Sequence, residues 1–390
     1  MFKFRLACLL SLLLVNPAQA FDSFEHNEIG NEGFAAAIKK LDRGRRGQSS
    51  RLLSGKNLSK GSEPISAVAN GKEIAKFTFG DLVSIYGDYA VTFDDINSPS
   101  MINRVANLKN IVRGGNLSDF ENELNHNINL AVNNPTHFSG RAAQTYVRWH
   151  RQALILAPQK GRLWEALHYE ALALHSFTDL YAFGHMHDNR EFSDRLTQWG
   201  KEQKQKNGFF ASSGTSMAKS ASKVMGGYTN FYHNAYNWKG GMMMNLAGDV
   251  WRGFGDKKYR VVDAGCPETT KVGKRKCRDT ATERQREIIV HAVSVSILDV
   301  LKAASGKRAQ VGKEYTAMCH LPVKYWNSSP PIAPESQKIA IVQMAGAMEK
   351  QGRPLAKNGF DFNLGFLKFK KGEMRGEVNY IDYVRQYCGM

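Results

Sequence analysis

From Leu163 to Phe183 the chain is nearly continuous in apolar residues, dense enough for a core helix, and Gly184 offers a natural stop. Ala281 to Ala304 places Ile288, Ala292, Val295, Leu298 and Leu301 at helical spacing, with Ile289 and Ile297 beside them. This predicts a second core helix with His291 packed into it. Arg141 to Leu156 reads as a helix after the Pro-marked loop Asn133 to Gly140. Phe77 to Ala90 predicts a short helix starting near Gly80 and ending at Gly87. A first helix is expected around His26, and a late one over Gln337 to Gln351 after the turn at Pro330 to Pro334. No alternating strand of any length stands out before the C-terminal tail, and no internal repeat is visible. The pattern implies an all-α fold with a main helical domain over 21–304, followed over 305–390 by a small extension that is either an appended module or the last layer of the main domain.

The apolar stretch ending at Glu191 also holds His168, His175, His185 and His187. His175 and Asp179 stand four apart and share one helical face. A turn at Gly184 swings His185 back toward them, and His168 lies two turns earlier on the same side. A buried aspartate without a cation or donor is costly, so His175, Asp179 and His185 read as metal ligands. Imidazole and carboxylate together suit Zn²⁺.

The run from Leu167 to His185, with H-S-F-T-D-L-Y-A-F-G-H inside it, resembles the metal helix of the bacterial zinc-dependent phospholipases C and of the fungal single-strand nucleases that share their fold. The resemblance covers about Phe21 to Ala304 and implies a helical domain whose zinc ligands surround a cleft. It implies that Phe21 binds zinc through its α-amine and carbonyl, with His26 completing that site. It adds Asp88 as ligand and general base, with Asp81 as the competing acid, and His137 from the His-Phe pair. His175 and the bridging Asp179 then hold a zinc pair, and His185 with His233 a third ion. Family members carry an acid four residues after that last His, whereas this chain has Asn237. The third site is accordingly weaker, with His187 and Glu191 as local substitutes. His126 and His150 have no assigned role.

Residues 1–20 read as a secretory signal: Lys3 and Arg5, the apolar run Leu6 to Val15, and Ala-Gln-Ala before Phe21. Export and a mature start at Phe21 are expected, the product being secreted or periplasmic. Cys266, Cys277, Cys319 and Cys388 then remain, an even number that predicts two disulfides, preferably Cys266–Cys277 and Cys319–Cys388. The net charge of +17 points to an anionic partner, either a membrane surface or nucleic acid. Lys39 to Lys76 holds ten basic and three acidic residues with little periodicity, and predicts a solvated, mobile insertion. Gly200 to Gly227, rich in Lys, Gln, Ser and Gly, predicts a loop.

The resemblance thus implies a zinc phosphodiesterase with two or three Zn²⁺ ions, in which Asp179 bridges metals and Asp88 handles a proton. A phospholipid membrane is the expected substrate surface, with no protein partner and a monomeric state. A single-strand nuclease on the same scaffold, and a non-catalytic zinc-binding protein favoured by Asn237, are the other readings. A His-Asp phosphohydrolase, suggested by His187-Asp188, ranks below them. G-x-S-x-G and G-x-x-x-x-G-K are both absent.

Overall fold

The computed structural model describes residues 23–44, 47–53, 62–133, 135–187, 233, 236–238, 240–255, 280–306, 315–326 and 380–389. Helix α1 (Ser23–Gly44) and the short α2 (Gln48–Leu52) precede a hairpin of β1 (Ile65–Ala69) and β2 (Lys72–Phe77). Helices α3 (Phe79–Asp88), α4 (Phe93–Ile96), α5 (Met101–Val112) and α6 (Glu121–Asn133) follow. Then come α7 (Ser139–Leu156), α8 (Leu163–Asp179) and α9 (Phe183–His187), strands β3 (Gly241–Asn245) and β4 (Val250–Gly253), and the long α10 (Thr280–Ala304). Strand β5 (Pro322–Trp326) and α11 (Tyr380–Cys388) close the series. The described residues are mainly helical, so the fold is all-α with two small sheets.

Helix α8 is the axis of the molecule. Every residue from Ala166 to Asp179 except Tyr169 is buried, because α7, α3 and α10 all pack on it. Helix α1 is wedged between α3 and α10. The α1–α3 crossing depends on two glycines: a Cβ on Gly30 would fall 2.8 Å from the Gly80 Cα, and one on Gly80 would fall 2.1 Å from the Asn27 carbonyl oxygen. Backbones in that proximity carry the α1 side chains up to α8. Among the described residues no helix is long and apolar enough to cross a membrane.

Two expectations change here. The stretch Lys39 to Lys76 is ordered at both ends: α1 runs on to Gly44, and the β1–β2 hairpin buries Ile65, Ala67, Ala69 and Phe77. Its turn is Asn70-Gly71, both at positive φ (51° and 73°), the two-residue connection that matches strand twist. His291 is not packed inside α10; it is exposed, 5.0 Å ring to ring from His320, with its Nδ1 3.3 Å from Lys40 Nζ.

The described part of the tail joins the main body. Strand β5 pairs antiparallel with β3, giving the order β4-β3-β5, and a Cys319–Cys388 disulfide ties α11 to the turn before β5. Phe21, Cys266, Cys277, the leader, the loop over 200–227 and the late helix over 337–351 all lie outside the described residues.

Candidate metal centre

The last turn of α8 presents His175 and Asp179 side by side, and other elements converge on them. Helix α1 supplies His26, whose Nε2 is 3.3 Å from Asp179 Oδ1. The 3₁₀ turn Pro135–His137 supplies His137, whose Nδ1 is 2.9 Å from Asp179 Oδ2 and 3.2 Å from His175 Nε2. His175 Nε2 lies 3.5 Å from Asp179 Oδ2 and 4.0 Å from Asp88 Oδ1. Tight turns at Tyr181, Ala182 and His185 fold the chain back after α8, so that His185 Nδ1 comes within 4.0 Å of Asp179 Oδ1. All six side chains are buried.

Asp88 reaches this cluster because α3 breaks just before it. Gly87 sits at φ +88°, ψ −49°, a conformation suited to glycine, and a Cβ there would lie 2.1 Å from the His175 ring. The backbone beyond the break is clamped: Asn127 Nδ2 donates to the Asp88 carbonyl at 3.2 Å, while His126 Nε2 (2.9 Å) and Arg104 Nη2 (3.4 Å) hold the Tyr89 carbonyl. Ser23 Oγ donates to Asp88 Oδ2 at 2.9 Å, and the Ser23 carbonyl accepts from Ser84. Oδ1 of Asp88 is thereby the oxygen left toward the histidines. Asp81 is occupied elsewhere: it closes a capping box with Thr78 and takes hydrogen bonds from Asn27 and Arg113.

The hydrogen bonds fix the tautomers. Thr178 Oγ1 gives its one proton to the Leu174 and His175 carbonyls, so it accepts from His26 Nδ1–H at 2.9 Å. His175 Nδ1–H donates to the Val83 carbonyl at 2.9 Å, and His185 Nδ1–H to the His137 carbonyl at 2.7 Å. Burial keeps the His175 and His185 rings neutral, so each retains a bare Nε2. For His175 that lone pair faces a carboxylate oxygen. Lone pair against anion is repulsive unless a cation stands between them, and backbone carbonyls that fix a ring in this way are the usual outer support of metal-binding histidines.

Three observations fit a metal. Neither carboxylate oxygen of Asp179 has an aligned hydrogen-bond donor, nor has His185 Nε2, although all are buried. The donor atoms of His26, His175 and Asp179 lie within 4.8 Å of one another, as do those of Asp88, His137 and His175, giving two adjoining sets that share His175. The contacts of 3.2, 3.3 and 3.5 Å match the edge of a tetrahedron with bonds of about 2.0–2.1 Å, the zinc value for nitrogen and oxygen ligands.

Protonation runs the same way. Burial drives the His175 and His185 pKa values well below normal, against the pull of Asp179, which keeps both rings neutral. Burial acts to raise Asp179, but His175, His137 and His185 outweigh it and hold the carboxyl well below the usual range. Asp88 goes the other way: burial pushes it up to about 6, with His26 and His137 opposing and Asp179 adding to the rise. One carboxylate is thus held as an anion while its neighbour can exchange a proton near neutrality.

His185 opens a second group. Its ring is 4.7 Å from His233 and stacks at 4.2 Å on Phe138. Asn237 Oδ1 accepts from the Gly184 amide at 2.6 Å, which turns its Nδ2 toward His233 Nε2 at 3.1 Å. Asn237 therefore faces His233 with a donor, the opposite of what a ligand offers. His187 Nε2 and Nδ1, and Glu191, are outside what is described.

His168 stays apart from the centre. Tyr86 Oη meets its Nδ1 at 2.9 Å and the Ser66 carbonyl its Nε2 at 3.0 Å, and burial lowers its pKa to about 4. Ser23, Thr178, His126 and Asn127 carry no sequence signal of their supporting roles, since each acts through a contact 37 or more residues away or by back-bonding within a helix. The chain matches no family model, no curated protein and no solved structure.

Proposed function

We propose that the chain is an exported zinc-dependent phosphodiesterase of the phospholipase C kind, releasing diacylglycerol and a phosphorylated headgroup. The observation that carries this reading is Asp179: a buried carboxylate with no aligned donor, ringed by imidazole nitrogens at 2.9–4.0 Å. His26, His175 and Asp179 would hold one ion, and Asp88, His137 and His175 or Asp179 a second. Zinc bound there supplies Lewis-acid charge for a phosphoryl oxygen and lowers the pKa of water at the site.

The side chains do the rest. Asp88, with Ser23 fixing Oδ2, directs Oδ1 into the centre and takes the proton of the attacking water. Thr178, the Val83 carbonyl and the His137 carbonyl hold His26, His175 and His185 in their ligating tautomers. No nucleophilic side chain is required, because water attacks phosphorus and the alkoxide of diacylglycerol leaves with a proton.

Near Asn237 the exposed aromatic residue among those described is Trp238, which would suit an acyl chain and a base alike. Trp251 and Phe254 are buried, 2% and 5% exposed, and present no free face to either, whereas Trp238 is 56% exposed. The test is hydrolysis of phosphatidylcholine vesicles and of single-stranded DNA in parallel, with and without zinc, beside Asp179→Asn. Zinc-dependent headgroup release that the variant lacks supports the reading. Nucleotide release alone moves the chain to the nucleases, and tight zinc binding without turnover on either substrate favours a binding protein.

A further inference from the structure

Helix α7 starts at the metal centre and has an outer face that no other described element covers. Its 18 residues include no Asp or Glu. Arg148, Arg151 and Ile155 are exposed and fall at i, i+3 and i+7, on one face, and Lys160 continues the exposed basic character into the next turn. Several other described arginines rest on carboxylates: Arg104 on Glu123, Arg113 on Asp81 and Glu63, Arg162 on Glu165, Arg284 on Asp249. Among the described residues Arg148 and Arg151 have no such partner. Arg148 lies 4.4 Å over the half-buried Trp149, which also stacks on Tyr169 at 5.5 Å. Ile155, 40% exposed, is an aliphatic side chain at the centre of a cationic face.

We propose that this face of α7 docks on an anionic lipid bilayer, a reading that rests on the phospholipase assignment and extends it. The complementarity is electrostatic, two unpaired guanidinium groups against lipid phosphates and carboxylates, with Ile155 and the edge of Trp149 entering the headgroup layer. A nucleic-acid strand is the poorer occupant. A stacking platform needs an open aromatic face, and Trp149 already carries a guanidinium and a phenol ring.

The experiment measures sedimentation of the purified protein with vesicles of phosphatidylcholine alone and of phosphatidylcholine with phosphatidylserine, and retention on single-stranded DNA. It compares wild type with Arg148→Gln/Arg151→Gln and, separately, Ile155→Ser, with melting curves to verify the fold of these surface variants. Adsorption that rises with phosphatidylserine and falls on the order of 20-fold in the double variant, at about five-fold per charge, is the expected result. A smaller loss from Ile155→Ser that persists at high salt is expected beside it. Equal adsorption of wild type and double variant, no preference for the anionic vesicles, or loss of DNA retention with vesicle binding intact would each overturn the proposal. Hydrolysis is read separately: anionic adsorption that needs the arginines, in a protein that cleaves no phospholipid, keeps the docking face and removes the phospholipase reading.

Discussion

Glu170 and Asp179 stand on the same helix, both fully buried, and their surroundings treat them in opposite ways. Glu170 Oε2 receives His150 Nδ1 at 2.7 Å, and Oε1 receives Ser296 Oγ at 2.5 Å. Ser296 in turn accepts from Tyr146 at 2.8 Å, so the protons pass in one direction toward the carboxylate. Asp179 is surrounded by at least as many polar groups, yet His175 turns its Nε2 lone pair toward it and neither of its oxygens has an aligned donor. A carboxylate satisfied by donors ties α7, α8 and α10 together. One faced by acceptors is built for a cation, and polarity alone does not separate the two; the direction of each proton does.

The largest effect should come from removing the cation's anchor. Asp179→Asn is expected to lose zinc, measured by elemental analysis, and about a thousand-fold of hydrolysis, equivalent to several kcal/mol of charge stabilisation. Its melting temperature should no longer respond to a chelator, whereas wild type should melt lower when zinc is stripped, as binding to the folded state alone requires. If the variant keeps full zinc, Asp179 is not the bridging ligand.

Glu170→Ala should show the reverse profile. Breaking a buried, hydrogen-bonded pair costs about 3–5 kcal/mol, so a large loss in urea unfolding is expected with zinc content per folded molecule unchanged. Loss of zinc at unchanged stability would dissolve the distinction between the two carboxylates.

His168 gives a pH test that avoids the metal. Its folded pKa of about 4 lies below the ordinary 6.5, so as pH falls through 6.5 the unfolded chain takes up a proton that the folded chain refuses. Stability should therefore fall between pH 6.5 and 4, by roughly 3 kcal/mol from this residue, and be fully present above 6.5. In His168→Gln the slope of unfolding free energy over that window should be shallower by about one proton; an identical slope contradicts burial as the cause.

The smallest effect is expected at the clamp on Asp88. Asn127→Ala, which frees the Asp88 carbonyl, should weaken zinc on the order of ten-fold in chelator competition, the scale of outer-shell support, with little change in melting of the zinc-free protein. An equal drop in zinc-free stability would make Asn127 a packing residue only.

The helices were legible where one period dominated: α8 from its unbroken apolar run, α10 from residues such as Ile288, Ala292 and Leu301. His175 and Asp179 were legible together because four residues are one turn. His168 shows where the same arithmetic fails. Seven residues return to the same face but move about 10 Å along the axis, which places His168 beside Tyr86 rather than in the centre. The β1–β2 hairpin was hidden by Lys72, Glu73 and Lys76 on its exposed side, although Asn70-Gly71 announced its turn. Asn237 was visible as a missing acid, but its bond to the Gly184 amide depends on a contact 53 residues away. His150 gave no sign of Glu170, and the tautomers of His26, His175 and His185 depend on Thr178 and two backbone carbonyls that no spacing rule identifies.

The bond between His26 and Thr178 spans 152 positions, and that between Ser23 and Asp88 spans 65. Only the His175–Asp179 pair can exist in an isolated α8, so no early-forming fragment owns a zinc pocket. Contacts of this separation close late, after local helices are in place. During refolding, helical signal should thus precede tight zinc uptake, and the ion reports the moment at which the first helix finds the eighth.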